Sequence, residues 1–186
     1  MQVINIMDTA MYNLIIKLMS TGATAFMMFV SHLGSAVVLI TLTIAFLILV
    51  KNKKDSRCIA LNLILVFLLN RILKFIIARP RPEILRLVPE DGYSFPSGHA
   101  MVSMGFYGFL IYLICKNVKN KKIKYPLIIS LSLLILTIGI SRIYLGVHYF
   151  TDVIGGFIIA IIYLKLFIKY IYNKKRIKGV RSGKHI

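Results

Sequence analysis

Long apolar runs separated by short polar clusters set the layout of this 186-residue chain. Five runs approach the roughly 20 apolar residues that a membrane-spanning helix needs. They are 34–50 (with an earlier start near Phe26 as the alternative), 59–77, 99–114, 126–140 and 151–171, with Pro126 placed where a first helical turn accepts it. Residues 11–30 are apolar overall but carry Asn13, Lys17, Ser20, Thr21 and Thr24. An interfacial amphipathic helix holds those groups at lower cost than a span does, and a sixth span is the alternative. No internal repeat is visible. The pattern predicts an all-α polytopic transmembrane bundle, with an N-terminal segment (1–33), one helical core (34–171) and a basic tail (172–186).

Composition strengthens this reading. Hydrophobic residues make up 58% of the chain and charged residues only 16%, whereas soluble domains are about 45–50% apolar. Disordered and disulfide-rich classes are excluded. The net charge of +18 suggests a nucleic-acid binder until its distribution is considered. Lys51, Lys53, Lys54 and Arg57 lie in one inter-span loop, and Lys116, Lys119, Lys121, Lys122 and Lys124 in another. Lys174, Lys175, Arg176, Lys178, Arg181 and Lys184 follow the last run. All three clusters fall on one side, which the positive-inside rule assigns to the cytoplasm. The expected setting is a plasma or inner membrane, with the C-terminus cytoplasmic, no nucleic-acid partner and an unreadable oligomeric state. The first residues lack the marks of a signal peptide, so the mature spans are expected to direct insertion. Cys58 and Cys115 flank cytoplasmic loops and are expected to be free thiols.

The opposite face receives residues 78–98 and 141–150, and the unusual chemistry lies there. Arg71, Lys74, Arg79, Arg81, Arg86 and Arg142 lie at the outer ends of spans or in the outer loops without equal numbers of carboxylates, which calls for an absent anion. Guanidinium forks fit phosphate oxygens, and lysine adds a point charge. Ser97 and Gly98 stand at the start of the third run, where free N–H groups and the helix dipole attract anions. An ordinary helix cap accounts for them equally well. His148 and Asp152 share a helical face four residues apart. There the carboxylate can fix the imidazole of a nucleophilic histidine, leaving His99 as a general acid. A zinc site on His99, His148 and Asp152 is the rival use. The surrounding cations oppose it, so no metal and no other cofactor is expected. Arg71 adds to the positive field or pairs with Asp152 or a backbone carbonyl. Glu83, Glu90 and Asp91 read as a solvated loop, with a cover over the entrance as the alternative, and His32 and His185 as interfacial and tail residues.

Taken together, Lys74-x6-Arg81-Pro82, Pro96-Ser97-Gly98-His99 and Ser141-Arg142-x5-His148-x3-Asp152 resemble the three-part signature of the type 2 phosphatidic acid phosphatase superfamily. The resemblance spans about 34–171. It implies that Lys74, Arg81 and Arg142 clamp phosphoryl oxygens, with Ser97 and the Gly98 N–H completing the cradle. It also implies that His148 forms a phosphohistidine while Asp152 holds its ring, that His99 protonates the leaving group, and that no metal takes part. Within the superfamily the chain resembles small bacterial membrane lipid phosphatases. Those proteins usually carry a transmembrane helix before the amphipathic segment, whereas this sequence starts at the segment. The implied partner is a phosphorylated lipid in the bilayer: undecaprenyl diphosphate first, then phosphatidylglycerophosphate or phosphatidic acid. Transfer of the phosphoryl group to another lipid uses the same residues. An anion or phospholipid carrier fits less well, because carriers favour paired, interrupted helices in two halves.

Overall fold

A computed structural model describes residues 2–83 and 86–173, the side chains of 2–5 excepted. Its described residues form α1 (Gln2–Ile16), α2 (Thr21–Leu33), α3 (Ala36–Leu49), α4 (Lys53–Ile77), α5 (Gly98–Asn117), α6 (Lys121–Tyr144) and α7 (Phe150–Phe167). A π-helical turn, Ile168–Tyr172, extends α7. No strand occurs among the described residues, so the all-α bundle is the observed fold class.

Helices α4, α5 and α6 are each long and apolar enough to cross a membrane, as is α7 with its extension. The expected first span differs in form. It is the pair α2 and α3, bent by 46° at a short break. The bend has a local cause. Ser35 restarts the helix by accepting a hydrogen bond from Val38 N–H, while the Gly34 N–H turns back to the Ser31 carbonyl at 3.0 Å. Gly34 presses so close to the bundle that an added Cβ meets Ile138 Cγ2 at 2.7 Å, Ser103 Oγ at 2.9 Å and His99 Cδ2 at 3.3 Å. Only glycine permits that approach. The described part of the N-terminal segment, 2–33, thus holds two helices, with α1 packed on α7 and α6 and α2 packed along α6. The Tyr144 hydroxyl ties α2 to α6 through Thr24 Oγ1 at 3.0 Å.

Helix α5 is the core, flanked by α4, α6 and α7. Ala100, Met101, Phe106 and Phe109 are all fully buried on it. In a bilayer, lipid tails compete with apolar side chains, so close van der Waals fit holds helices together. At the end opposite the bend, Phe109 packs edge-on against Phe167 and Tyr172. Asp55 is buried there with its charge satisfied: Tyr172 donates to it at 2.8 Å, Asn52 at 2.8 Å and Asn117 at 3.2 Å. That polar knot joins the starts and ends of α4, α5 and α7 beside the two lysine-rich loops. The basic tail lies outside the described residues.

At the bend level, Gly156 of α7 lets the start of α5 approach, with Ser97 O at 3.2 Å and Met101 N at 3.4 Å from where a Cβ would stand. Gly156→Ala therefore overpacks a backbone contact and is expected to destabilise by about 1–3 kcal/mol. Gly22→Ala in α2 meets nothing within 4 Å and is expected to gain about 0.5–1 kcal/mol. Thermal unfolding in detergent checks both signs, and the reverse order of midpoints contradicts this packing.

Candidate active site

The site is built where the bend of α2–α3, the end of α4, the start of α5, the end of α6 and the start of α7 meet. Helix α4 stops at Ala78, which takes a left-handed conformation (φ 48°) and donates its N–H to the Lys74 carbonyl at 2.9 Å. Alanine pays for that geometry with steric strain, a feature that clusters at functional sites. The turn sends Arg79 and Arg81 back over the bundle end. The following loop is pinned by Ser94 N–H on the Arg79 carbonyl at 2.8 Å and by Leu87 N–H on the Leu145 carbonyl at 3.1 Å.

Arg81 is 7% exposed and donates to Gly92 O (2.9 Å), Asp91 O (2.8 Å) and Val147 O (2.8 Å). Its Nη1 also lies 3.3 Å from His148 Nε2. A guanidinium only donates, so Nε2 is the acceptor and the ring proton sits on Nδ1. On that side, Nδ1 lies 3.4 Å from Ser94 Oγ and 3.6 Å from Asp152 Oδ2. Ser94 hydrogen-bonds Asp152 Oδ2, which also accepts from the Tyr149 N–H at 2.9 Å. The serine hydroxyl thus stands between imidazole and carboxylate. Burial pushes the His148 imidazole down to about 4, against the upward pull of Asp152, so the ring is neutral at pH 7 and its Nε2 lone pair accepts from Arg81. Arg81 is likewise lowered by burial, with Glu90 pulling it up.

Arg142 hydrogen-bonds Ser31 of α2 at 2.6 Å and forms an ion pair with Glu90. The other Glu90 oxygen lies 3.7 Å from Arg81. One carboxylate therefore occupies the space between two arginines, as an oxyanion would. Glu90, read from the sequence as a solvated loop residue, belongs to the site. Lys74 reaches the same loop through the carbonyls of Tyr93 and Ser94.

Two openings reach this centre. A cleft of about 370 Å³ runs between α3, α4 and α5, apolar along Leu39, Leu63 and Phe67 and polar at Lys74, Glu90 and His99. A mouth of about 280 Å³ on the other side is lined by Ser31, His32, Glu90, His99 and Arg142. His99 and Glu90 line both. The structure thus gathers Lys74, Arg81, Gly98, His99, Arg142, His148 and Asp152 at one end of the bundle. Ser97 is fully buried beneath them, capping α5 through Ala100 N–H at 3.5 Å. An added Cβ on Gly98 would stand 3.3 Å from Asn70 Oδ1 and 3.9 Å from Lys74 Cε.

Sequence reasoning missed Ser94 and Asp8, counted Arg79 only among the outer cations, and placed Glu90 only in the loop beside the entrance. Ser94 had one signal, a small hydroxyl three residues before Ser97. Asp8 had none, because its partners lie 71 and 143 positions away.

An apolar cleft that ends at Lys74 and His99, in front of buried Arg81 and His148, fits a membrane-embedded phosphatase, and the comparisons with known proteins give that class. The PAP2 superfamily model matches residues 56–176, and the chain belongs to that superfamily. It is 37% identical to phosphatidylglycerophosphatase B of Bacillus subtilis over 144 residues, covering 72% of this chain and 68% of that one. It is 30% identical to an undecaprenyl-diphosphatase of Sulfolobus acidocaldarius over 142 residues, covering 72% and 64%. Its fold is similar to the crystal structure of a transmembrane PAP2-type phosphatidylglycerolphosphate phosphatase from Bacillus subtilis, with TM-score 0.81, 30% identity and coverage of 92% and 89%.

Glu90→Gln removes the charge that competes for Arg81 and Arg142. Inorganic phosphate is expected to inhibit this variant about fivefold more tightly, the worth of a partly buried ion pair near 1 kcal/mol. An unchanged or weaker inhibition constant contradicts the placement of Glu90 on the anion site.

Proposed function

We propose that the protein hydrolyses the terminal phosphate of a membrane lipid, a monoester or a diphosphate, through a phosphohistidine on His148. The observation that carries this reading is the contact between Arg81 and His148 Nε2. The group best suited to hold a phosphoryl oxygen donates to the Nε2 lone pair of a neutral imidazole whose far nitrogen is held by Ser94 and Asp152, a contact that a phosphoryl group would replace. The apolar cleft supports a lipid substrate, since its polar end is at His99 and Lys74 and its flank opens between α3 and α4.

In the first step Nε2 attacks phosphorus in line, a P–N bond forms and the P–O bond to the lipid breaks. His99 gives its proton to the departing oxygen. Arg81, Arg142 and Lys74 take the charge that spreads over the equatorial oxygens, displacing Glu90. Asp152 and Ser94 hold the Nδ1 proton, so the ring remains correctly turned as it becomes cationic. In the second step water attacks phosphorus, His99 takes its proton, the P–N bond breaks and inorganic phosphate leaves. Ser97 and the Gly98 N–H add donors at the start of α5, where the helix dipole favours the anion. Every step uses side chains of this chain. The substrate's headgroup is one of those named for its relatives, phosphatidylglycerophosphate or undecaprenyl diphosphate. Transfer to a second lipid would use the same first step with a lipid hydroxyl in place of water.

The test is phosphate release by purified protein from both lipids with a chelator present. Wild type is expected to turn over, while His148→Ala and His99→Ala lose nearly all rate. Losing a single clamp, as in Arg142→Ala, costs about 10²–10³-fold by analogy with a lost oxyanion donor. Full activity in the His148 variant, or loss of wild-type activity with chelator, contradicts the proposal. Sidedness has its own check. In a Cys58→Ser/Cys115→Ser background, Glu90→Cys is expected to react with an impermeant thiol reagent in intact cells, and labelling only after lysis reverses the orientation.

A further inference from the structure

Arg79 lies two residues before Arg81, inside the variable stretch of the first motif, and faces away from the clefts. Both terminal nitrogens of its guanidinium are engaged. Nη1 donates to Asp152 Oδ1 at 2.6 Å and to Thr151 Oγ1 at 2.8 Å, and Nη2 donates to Asp8 Oδ2 at 2.8 Å. Its plane lies over the Tyr149 ring, with Cζ 4.0 Å from the centroid. Asp8 of α1 in turn accepts from Thr151 N–H at 2.9 Å and from Thr151 Oγ1 at 2.9 Å. The side chains of Asp8 and Asp152 are 5% and 0% exposed. Such a buried carboxylate keeps its orientation only while its oxygens are satisfied.

We propose that Arg79, braced by Asp8 of the N-terminal helix, is a positioning residue for the reaction, acting through Asp152 on His148. The inference rests on the reading of His148 as nucleophile and deepens it. Asp152 divides its oxygens. Oδ2 faces inward and takes the Ser94 hydroxyl and the Tyr149 N–H beside the imidazole, while Oδ1 faces outward and takes Arg79. Were Arg79 absent, Oδ1 would lose its cation and the carboxylate would be free to turn, releasing the hold on Nδ1. Asp8 keeps the guanidinium from drifting, because a bidentate fork anchored at one tine fixes the other. This gives α1 a part in catalysis although it contributes nothing to the clefts that line His99. It also explains why an aspartate is buried on an otherwise amphipathic helix.

Four variants test the proposal: Arg79→Gln, Arg79→Lys, Asp8→Asn and the double variant Asp8→Asn/Arg79→Gln. The readout is kcat and KM on the same lipid, with His148→Ala as reference. Arg79→Gln is expected to lower kcat about 10–100-fold, the range typical of groups that orient a functional ligand. KM should stay within about twofold, since no phosphate contact is lost. Arg79→Lys reaches one carboxylate but not two and should recover part of the rate. Asp8→Asn should lower kcat less than Arg79→Gln, and the double variant should be no slower than Arg79→Gln alone. Wild-type kcat in Arg79→Gln, a rise in KM as large as the fall in kcat, or additive losses in the double variant overturn the proposal. If Arg79→Gln does not fold, Asp8→Asn decides, and an unchanged kcat there overturns it. An active His148→Ala overturns the nucleophile assignment beneath it. An inert His148→Ala beside a fully active Arg79→Gln overturns the positioning role alone.

Discussion

Cations buried together at one end of an apolar bundle are the constraint around which the rest is arranged. Lys74, Arg81 and Arg142 are drawn together where water is scarce, and such groups persist at membrane depth only with partners. The described residues supply Glu90 as an internal stand-in, shared between Arg81 and Arg142. A carboxylate with 30% of its side chain exposed is a replaceable partner, which leaves room for a phosphoryl group of higher charge. Asp152 is different. Fully buried, hydrogen-bonded on both oxygens and tied to Arg79, it is permanent structure.

That distinction organises the fold. Each helix end at the site brings one kind of group. The left-handed turn at Ala78 delivers two arginines, the capped start of α5 delivers His99, the end of α6 delivers Arg142, and the start of α7 delivers Asp152. The bend between α2 and α3 puts Gly34 against His99 and Ser31 on Arg142. Lys74, His99 and Arg142 line the clefts, whereas Arg81, His148 and Asp152 lie buried behind them.

Much of this was legible in the sequence. Apolar run length gave the positions of α4 to α7, and residue type with spacing pointed to the eight candidate site residues, whose roles are the subject of the proposal above. What the sequence hid shares one physical character. The α2–α3 bend depends on how closely Gly34 meets Ile138 and Ser103, a packing fact with no local pattern. Ser94 and Glu90 sit in a loop, where a hydroxyl or carboxylate has no periodicity to betray its direction. The Asp8–Arg79 pair joins positions 71 residues apart, and an amphipathic helix with one aspartate looks the same whether that aspartate faces water or a guanidinium.

The most direct measurement is a crystal structure of the protein soaked with vanadate or tungstate, tetrahedral oxyanions that mimic the phosphoryl group. The account predicts the oxyanion between Arg81, Arg142 and Lys74, within bonding reach of His148 Nε2, with Glu90 swung aside and Asp152 still held by Arg79 and Ser94. An oxyanion bound elsewhere, or bound here with His148 Nε2 turned away from it, would contradict the account.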